Sequence, residues 1–205
     1  MIPLLTFALQ VLPVFGLALG ATVLGNMLLA VYVTKPWQLP LLLVGALLFV
    51  GLLTFRKTRN WNLVLLLALS LVAGVLTGVA FTDEGRAWGA VLSMTCALLI
   101  LALLLGTSLR GRIARGLRAL YLLTWFYLAG WLLILIWDPA LWLRILWVVA
   151  GAILFTSLAV IWFSEWEAKE APVATLAVPE GCELYILGLN IAIALRALLA
   201  LLPIG

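Results

Sequence analysis

Long apolar runs constrain this chain more than any other feature. Seven mostly apolar stretches follow one another, separated by short polar or charged breaks, at about residues 4–33, 38–55, 61–82, 87–108, 117–137, 140–163 and 182–204. About 20 apolar residues are needed for a helix to cross the hydrocarbon core of a membrane. The runs are continuous rather than alternating, which favours helices over the strands of a barrel. The sequence therefore predicts an all-α integral membrane protein, with residues 1–205 forming one domain of seven transmembrane helices.

The composition excludes several classes of protein. Hydrophobic residues make up 67% of the chain and charged residues 10%, with a mean hydropathy of +1.29. Soluble domains are about half apolar and about a quarter charged, so a soluble globular protein, a disordered chain and a nucleic-acid binder are all excluded. The chain has no histidine and only two cysteines, which leaves a zinc site or a disulfide framework without support. No catalytic motif is present, so we expect neither an enzyme nor a cofactor, and the lipid bilayer is the expected environment.

The positive charges predict the orientation in the membrane. With the N-terminus inside, eight Lys and Arg residues fall in the inner loops and three in the outer loops. Positive residues concentrate on the cytoplasmic side of membrane proteins. We therefore expect a cytoplasmic N-terminus and, after seven spans, an external C-terminus. Because no organelle transit sequence is evident, the plasma membrane is the expected location.

Ionisable residues near the bilayer are the first candidates for function. Arg56 closes the second span, Glu165 follows the sixth, and Glu183 opens the seventh. Two carboxylates that share a partly dry site cannot easily both ionise, so Glu165 and Glu183 are predicted to form a pH-sensitive latch if they face one another. The plainer alternatives are a positively charged anchor for Arg56 and a solvated acidic loop for the glutamates. The loop is the interpretation we favour for Glu165, Glu167 and Glu180, whereas Glu183 fits it less well because the apolar run of span 7 begins at the next residue.

The seventh span contains two further polar residues. Asn190 is predicted either to bond a neighbouring helix or to line an ion path. Arg196 is predicted to extend its side chain toward the outer surface, with pore lining or helix pairing as the alternatives. In the first span, a series of glycines, Gly16, Gly20 and Gly25, predicts a closely packed helix face.

Three motifs carry a resemblance to a known family. They are FRKTRNWNLVLLLALSLVAG (Phe55–Gly74), LLLGTSLRGRIARGL (Leu103–Leu117) and ELYILGLNIAIALRALL (Glu183–Leu199). Their order and spacing resemble the Bax-inhibitor (transmembrane Bax inhibitor motif) family, over most of the chain from about Pro40 onward. The resemblance implies six helices surrounding a central, C-terminal seventh helix.

The family also implies a gate, which this chain matches only in part. The family has a basic residue ending span 2, an aspartate late in span 6 and an aspartate early in span 7, and Arg56 matches the first of these. Trp162 and Leu187 occupy the aspartate positions, whereas Glu165 and Glu183 each lie about one helical turn away, toward the cytoplasm. Both a latch displaced by one turn and a lost latch that leaves two interfacial glutamates agree with this pattern.

The resemblance implies a pH-sensitive calcium or cation leak channel. Arg56, Glu165 and Glu183 would then form the gate, Asn190 would lie on the ion path, and the two glutamates would offer the permeant Ca²⁺ a weak oxygen site. The alternative is a non-conducting membrane regulator that binds a membrane protease or another partner protein. The sequence does not predict the oligomeric state.

Overall fold

A computed structural model of the chain describes residues 7–54, 59–80, 85–109, 117–137, 139–168 and 177–201. Seven α-helices run through these residues, and none of the described residues is in a β-strand. The helices are α1 (Leu12–Leu24), α2 (Gln38–Thr54), α3 (Arg59–Ala80), α4 (Gly85–Leu109), α5 (Leu117–Trp137), α6 (Leu141–Ala168) and α7 (Ala177–Leu201). The prediction of seven helices is therefore confirmed. An all-helical backbone satisfies its own hydrogen bonds, as an apolar chain requires in lipid.

Irregular helical turns extend α1 at both ends. Phe7–Val11 and Gly25–Leu29 form π-helical turns, Ala30–Tyr32 continues as a 3₁₀ turn, and Lys35–Trp37 forms a second 3₁₀ turn before α2. Pro13 lies in the first turn of α1, directly after the π-helical turn, and has no N–H to donate to that preceding turn.

Among the described residues, five helical stretches are long and apolar enough to cross a membrane. They are Leu9–Leu29, Trp61–Gly78, Ala90–Leu109, Leu141–Trp166 and Pro179–Leu201, and Leu39–Leu52 in α2 is a shorter apolar stretch. Multiple helices of this kind indicate a multi-pass membrane protein.

The helices group into two compact units. The first contains α1, α2, α3 and the beginning of α7, within Met1–Glu84 and Ala171–Tyr185; the second contains α4, α5, α6 and the remainder of α7, within Gly85–Glu170 and Ile186–Gly205. Because α7 contributes to both units, the expectation of a single seven-helix domain stays a prediction.

Glycines set the packing of α1 on α3 in the first unit. A Cβ atom at Gly25 would overlap the carbonyl oxygen of Leu71, and one at Gly74 would overlap the carbonyl oxygen of Thr22. A Cβ at Gly78 would lie 2.5 Å from that of Ala30. The two backbones therefore touch, as small residues allow between membrane helices.

The predicted glycine face of the first span is correct only at Gly25. At Gly16 and Gly20 an added Cβ would meet nothing within 4 Å. These two glycines instead line an open apolar groove of about 840 Å³ together with residues of α3 that include Leu67 and Leu71.

The second unit is also packed through glycines. A Cβ at Gly106 of α4 would lie 2.6 Å from the carbonyl oxygen of Val160 on α6. Between α5 and α6, the Trp147 ring fills the space at Gly130, and the Tyr127 ring fills the space at Gly151. These two rings stack on each other with their centroids 5.5 Å apart. Each of the two helices therefore provides one aromatic ring and one glycine, and the ring of each helix packs against the glycine of the other.

Candidate functional site on helix α7

Helix α7 is the most buried of the candidate membrane spans. In its apolar window 44% of the positions are buried, against 28–39% in the other four. A helix so enclosed by protein is expected to be apolar throughout unless its polar groups have a purpose. Five of its residues instead carry polar or charged side chains: Glu180, Glu183, Tyr185, Asn190 and Arg196.

The helix begins earlier than the apolar pattern predicts. The sequence places its start near residue 182, whereas α7 starts at Ala177, and α6 extends to Ala168 rather than to residue 163. Polar residues end the apolar run without ending the helical hydrogen bonds, so Glu165 and Glu180 lie on helices. Glu180 lies in the first turn of α7, where a negative charge is favourable because the helix dipole is positive there.

The described acidic side chains differ in their burial. Glu180 is only 6% exposed, so the prediction that it belongs to a solvated acidic loop is wrong. Glu165, near the end of α6, and Glu183, in the second turn of α7, are each partly buried. Glu165 belongs to the second unit and Glu183 to the first. The latch predicted between them stays a prediction, and Arg56, its basic member, lies outside the described residues.

An aromatic cluster surrounds the position of Glu165 along α6. The ring of Trp162 stacks on that of Trp166 with centroids 5.7 Å apart and meets that of Phe163 edge-on at 5.0 Å. Trp166 is 5% exposed and Phe163 3%. Buried aromatic side chains of the same helix therefore flank Glu165.

Asn190 and Arg196 lie in the part of α7 that belongs to the second unit. The Asn190 side-chain amide donates to the carbonyl oxygen of Ile186, one turn earlier on its own helix, at 2.8 Å. Arg196 is 4% exposed. The prediction that its side chain extends toward the membrane surface is therefore wrong, because neighbouring helices enclose it.

The structure brings together one group of side chains that sequence reasoning missed. Tyr185 is fully buried, and its hydroxyl oxygen lies 2.6 Å from Oγ1 of Thr22 on α1. Ser70 of α3, also fully buried, lies beside the same tyrosine. Thr22 and Tyr185 are 163 residues apart in the chain. The only sequence signal is a single tyrosine in an apolar helix, which gives no indication of its partners.

Among the residues that the structure describes, no group of three or more His, Cys, Asp and Glu side chains is placed to hold a metal ion. The weak calcium site expected at Glu165 and Glu183 requires only two carboxylates together with carbonyl and water oxygens, so it stays a prediction.

Comparisons with known proteins give no match, either to a protein-family model or to a curated protein. The resemblance to the Bax-inhibitor family therefore depends on the three sequence motifs alone.

Proposed function

We propose that this protein is a multi-pass membrane protein related to the Bax-inhibitor family, and that it provides a pH-sensitive leak path for calcium or other cations along α7. One observation carries the proposal: the most buried candidate span also carries Glu180, Glu183, Asn190 and Arg196. Charged and polar groups within a membrane are costly, and they commonly mark ion pathways.

The proposed path has carboxylate oxygens near the start of α7 and a side-chain amide further along the helix. Glutamate oxygens near the start of α7 attract a cation, and hard cations such as Ca²⁺ prefer oxygen ligands. Two carboxylates bind more weakly than a complete cage of six to eight oxygens, which suits passage rather than storage. Arg56, Glu165 and Glu183 are the proposed gate at the cytoplasmic end, and Asn190 is the proposed polar group further along.

Calcium entry into liposomes tests this proposal. The purified full-length protein is reconstituted in vesicles that enclose a calcium dye, and entry is recorded from about pH 6 to pH 8. We expect entry that varies with pH, and a loss of that variation in Glu183→Gln, because the substitution removes one of the two carboxylates. Glu167→Gln is the control, since it removes an equal charge from α6, two residues beyond Glu165.

Each outcome of this experiment discriminates between interpretations. Calcium entry that does not vary with pH would support the leak and contradict the latch. No entry above that of empty vesicles at any pH would contradict the channel altogether.

The second candidate function is that of a non-conducting regulator that binds a transmembrane helix of a partner protein. The open apolar groove at Gly16 and Gly20 favours it, because two glycines four residues apart let another helix approach closely. Gly20→Leu would obstruct the groove. If the partner binds there, this variant loses the partner, and neither the wild type nor the variant gives calcium entry above that of empty vesicles.

A further inference from the structure

Three helices of the first unit meet at the Tyr185 hydroxyl. Thr22 lies 2.6 Å from it on α1, and Ser70 lies beside it on α3. The Thr22 hydroxyl also lies 3.0 Å from the carbonyl oxygen of Ala18, to which it donates, and that of Ser70 donates to Leu66 at 2.7 Å. Because the Thr22 hydrogen is used within its own helix, Tyr185 donates its single hydroxyl hydrogen to Oγ1 of Thr22, and this bond links α7 to α1.

A second contact lies one turn before Tyr185 on the same face of α7. A Cβ atom at Gly181 would lie 2.6 Å from Cγ1 of Val14 on α1. Residues four apart share a helix face, so Gly181 and Tyr185 together fix the first turns of α7 against α1. Gly181 permits the close approach, and Tyr185 determines the register.

A hydrogen bond specifies register better than apolar packing at this position. Lipid tails are as apolar as leucine side chains, so apolar helix faces have little hydrophobic preference for one register over another. A buried hydroxyl that loses its partner in this environment finds no water to replace it. Rotation or sliding of α7 against α1 therefore has to break the bond between Tyr185 and Thr22.

The register of α7 determines where Glu183 points. Two residues along an α-helix correspond to a rotation of about 200°, so Glu183 lies on nearly the opposite side of α7 from Tyr185. The burial agrees, since Tyr185 is fully enclosed while Glu183 is partly exposed. By holding its own face of α7 against α1 and α3, Tyr185 therefore directs Glu183 away from these two helices.

We propose that Tyr185 is a positioning residue for the gate, and that its hydroxyl bond to Thr22 holds the first turns of α7 in the orientation that aims Glu183. The effect on ion flux rests on the proposed function above. The positioning itself does not require that any ion is conducted, so the two can be tested separately.

The native thiol of Cys182 provides a direct reporter of this position. Cys182 lies one turn before Tyr185 and is buried, whereas Cys96, the other cysteine, is exposed. In a Cys96→Ser background, the rate at which N-ethylmaleimide alkylates Cys182 measures how often the first turns of α7 separate from their neighbours. We expect Tyr185→Phe to raise this rate about 3- to 20-fold, the range that corresponds to the loss of one hydrogen bond between membrane helices.

Further variants separate the hydroxyl bonds from general loosening of the fold. Thr22→Val removes the same link from α1 and should also raise the rate, whereas Thr22→Ser keeps the hydroxyl and should retain the wild-type rate. Tyr32→Phe removes a hydroxyl from a tyrosine that is 83% exposed and should change nothing. A Ser164→Cys reporter in the second unit, placed in a chain without Cys96 and Cys182, should keep its slow labelling when Tyr185→Phe is added.

Labelling of Cys182 at the wild-type rate in both Tyr185→Phe and Thr22→Val would overturn the proposal. Equal acceleration at Cys182 and at the Ser164→Cys reporter would also overturn it, because the tyrosine would then support the whole fold rather than position α7. In vesicles, Tyr185→Phe should raise calcium entry. An absence of entry in every variant, with Cys182 labelling changed as expected, would contradict the leak and leave the positioning role of Tyr185 intact.

Discussion

At the scale of single residues, glycines have unequal roles that their spacing does not reveal. Gly74 and Gly20 are both interior helix glycines in the first unit, but a Cβ atom at Gly74 would overlap the carbonyl oxygen of Thr22, whereas one at Gly20 would meet nothing within 4 Å. We expect Gly74→Ala to lower the free energy of unfolding by about 1–3 kcal/mol, because α1 and α3 must move apart. Thermal unfolding of the detergent-solubilised protein, followed by the reactivity of Cys182, measures this change.

Gly20→Ala is the matched control for this substitution, since it adds the same methyl group to a helix. Its melting temperature should equal that of the wild type or exceed it slightly, because alanine favours helices over glycine. Equal destabilisation by both substitutions would contradict the assignment of the α1–α3 contact to Gly74.

At the scale of helices, a substitution at Asn190 tests the proposed function of α7 separately from its role in the stability of the fold. Its amide donates to Ile186 within the same helix, so the bond links no other helix to α7. We expect Asn190→Leu to leave the melting temperature within a few degrees of the wild type, since an intrahelical side-chain bond contributes only about 1 kcal/mol. Calcium entry should fall at least several-fold, because a polar group on the proposed path is lost.

The flux assay in vesicles and the melting curve are to be measured on the same preparation. Leu66→Val is the control, since it lies in α3, is fully buried and carries no polar group. Unchanged calcium entry in Asn190→Leu would remove Asn190 from the path and would restrict the polar part of α7 to its first turns.

The helices of this protein could be predicted from its sequence, whereas the environment of their polar residues could not. Apolar runs of membrane length leave the backbone little choice but helix, so all seven helices are expected. The sequence does not predict that α6 continues past Glu165 or that α7 begins before Glu180, because a glutamate ends an apolar run without breaking a helix. The burial of Arg196 and the bonds of Tyr185 depend on which helices lie beside α7, and no local pattern contains that information.

At the scale of the whole molecule, the topology depends on whether α2 crosses the membrane. Its 17 residues, Gln38–Thr54, span roughly 25 Å, somewhat less than the roughly 30 Å of the hydrocarbon core. The 3₁₀ turn Lys35–Trp37, which precedes α2 directly, adds roughly 6 Å. Together these segments are long enough, so we expect α2 to cross. The 21 residues of α5, Leu117–Trp137, span roughly 31 Å and are also expected to cross, so that with the five longer apolar stretches the chain passes through the membrane seven times.

Two exposed threonines at opposite ends of this segment make the topology measurable. Thr34 precedes the 3₁₀ turn, and Thr54 ends α2. In a chain without Cys96 and Cys182, a membrane-impermeant maleimide should label Thr34→Cys in intact cells, and should label Thr54→Cys only after permeabilisation, because an excess of positive residues marks the inner loops. The reverse pattern would invert the orientation. Labelling of both variants from the same side would show that α2 does not cross, and the N-terminus and C-terminus would then share one side of the membrane.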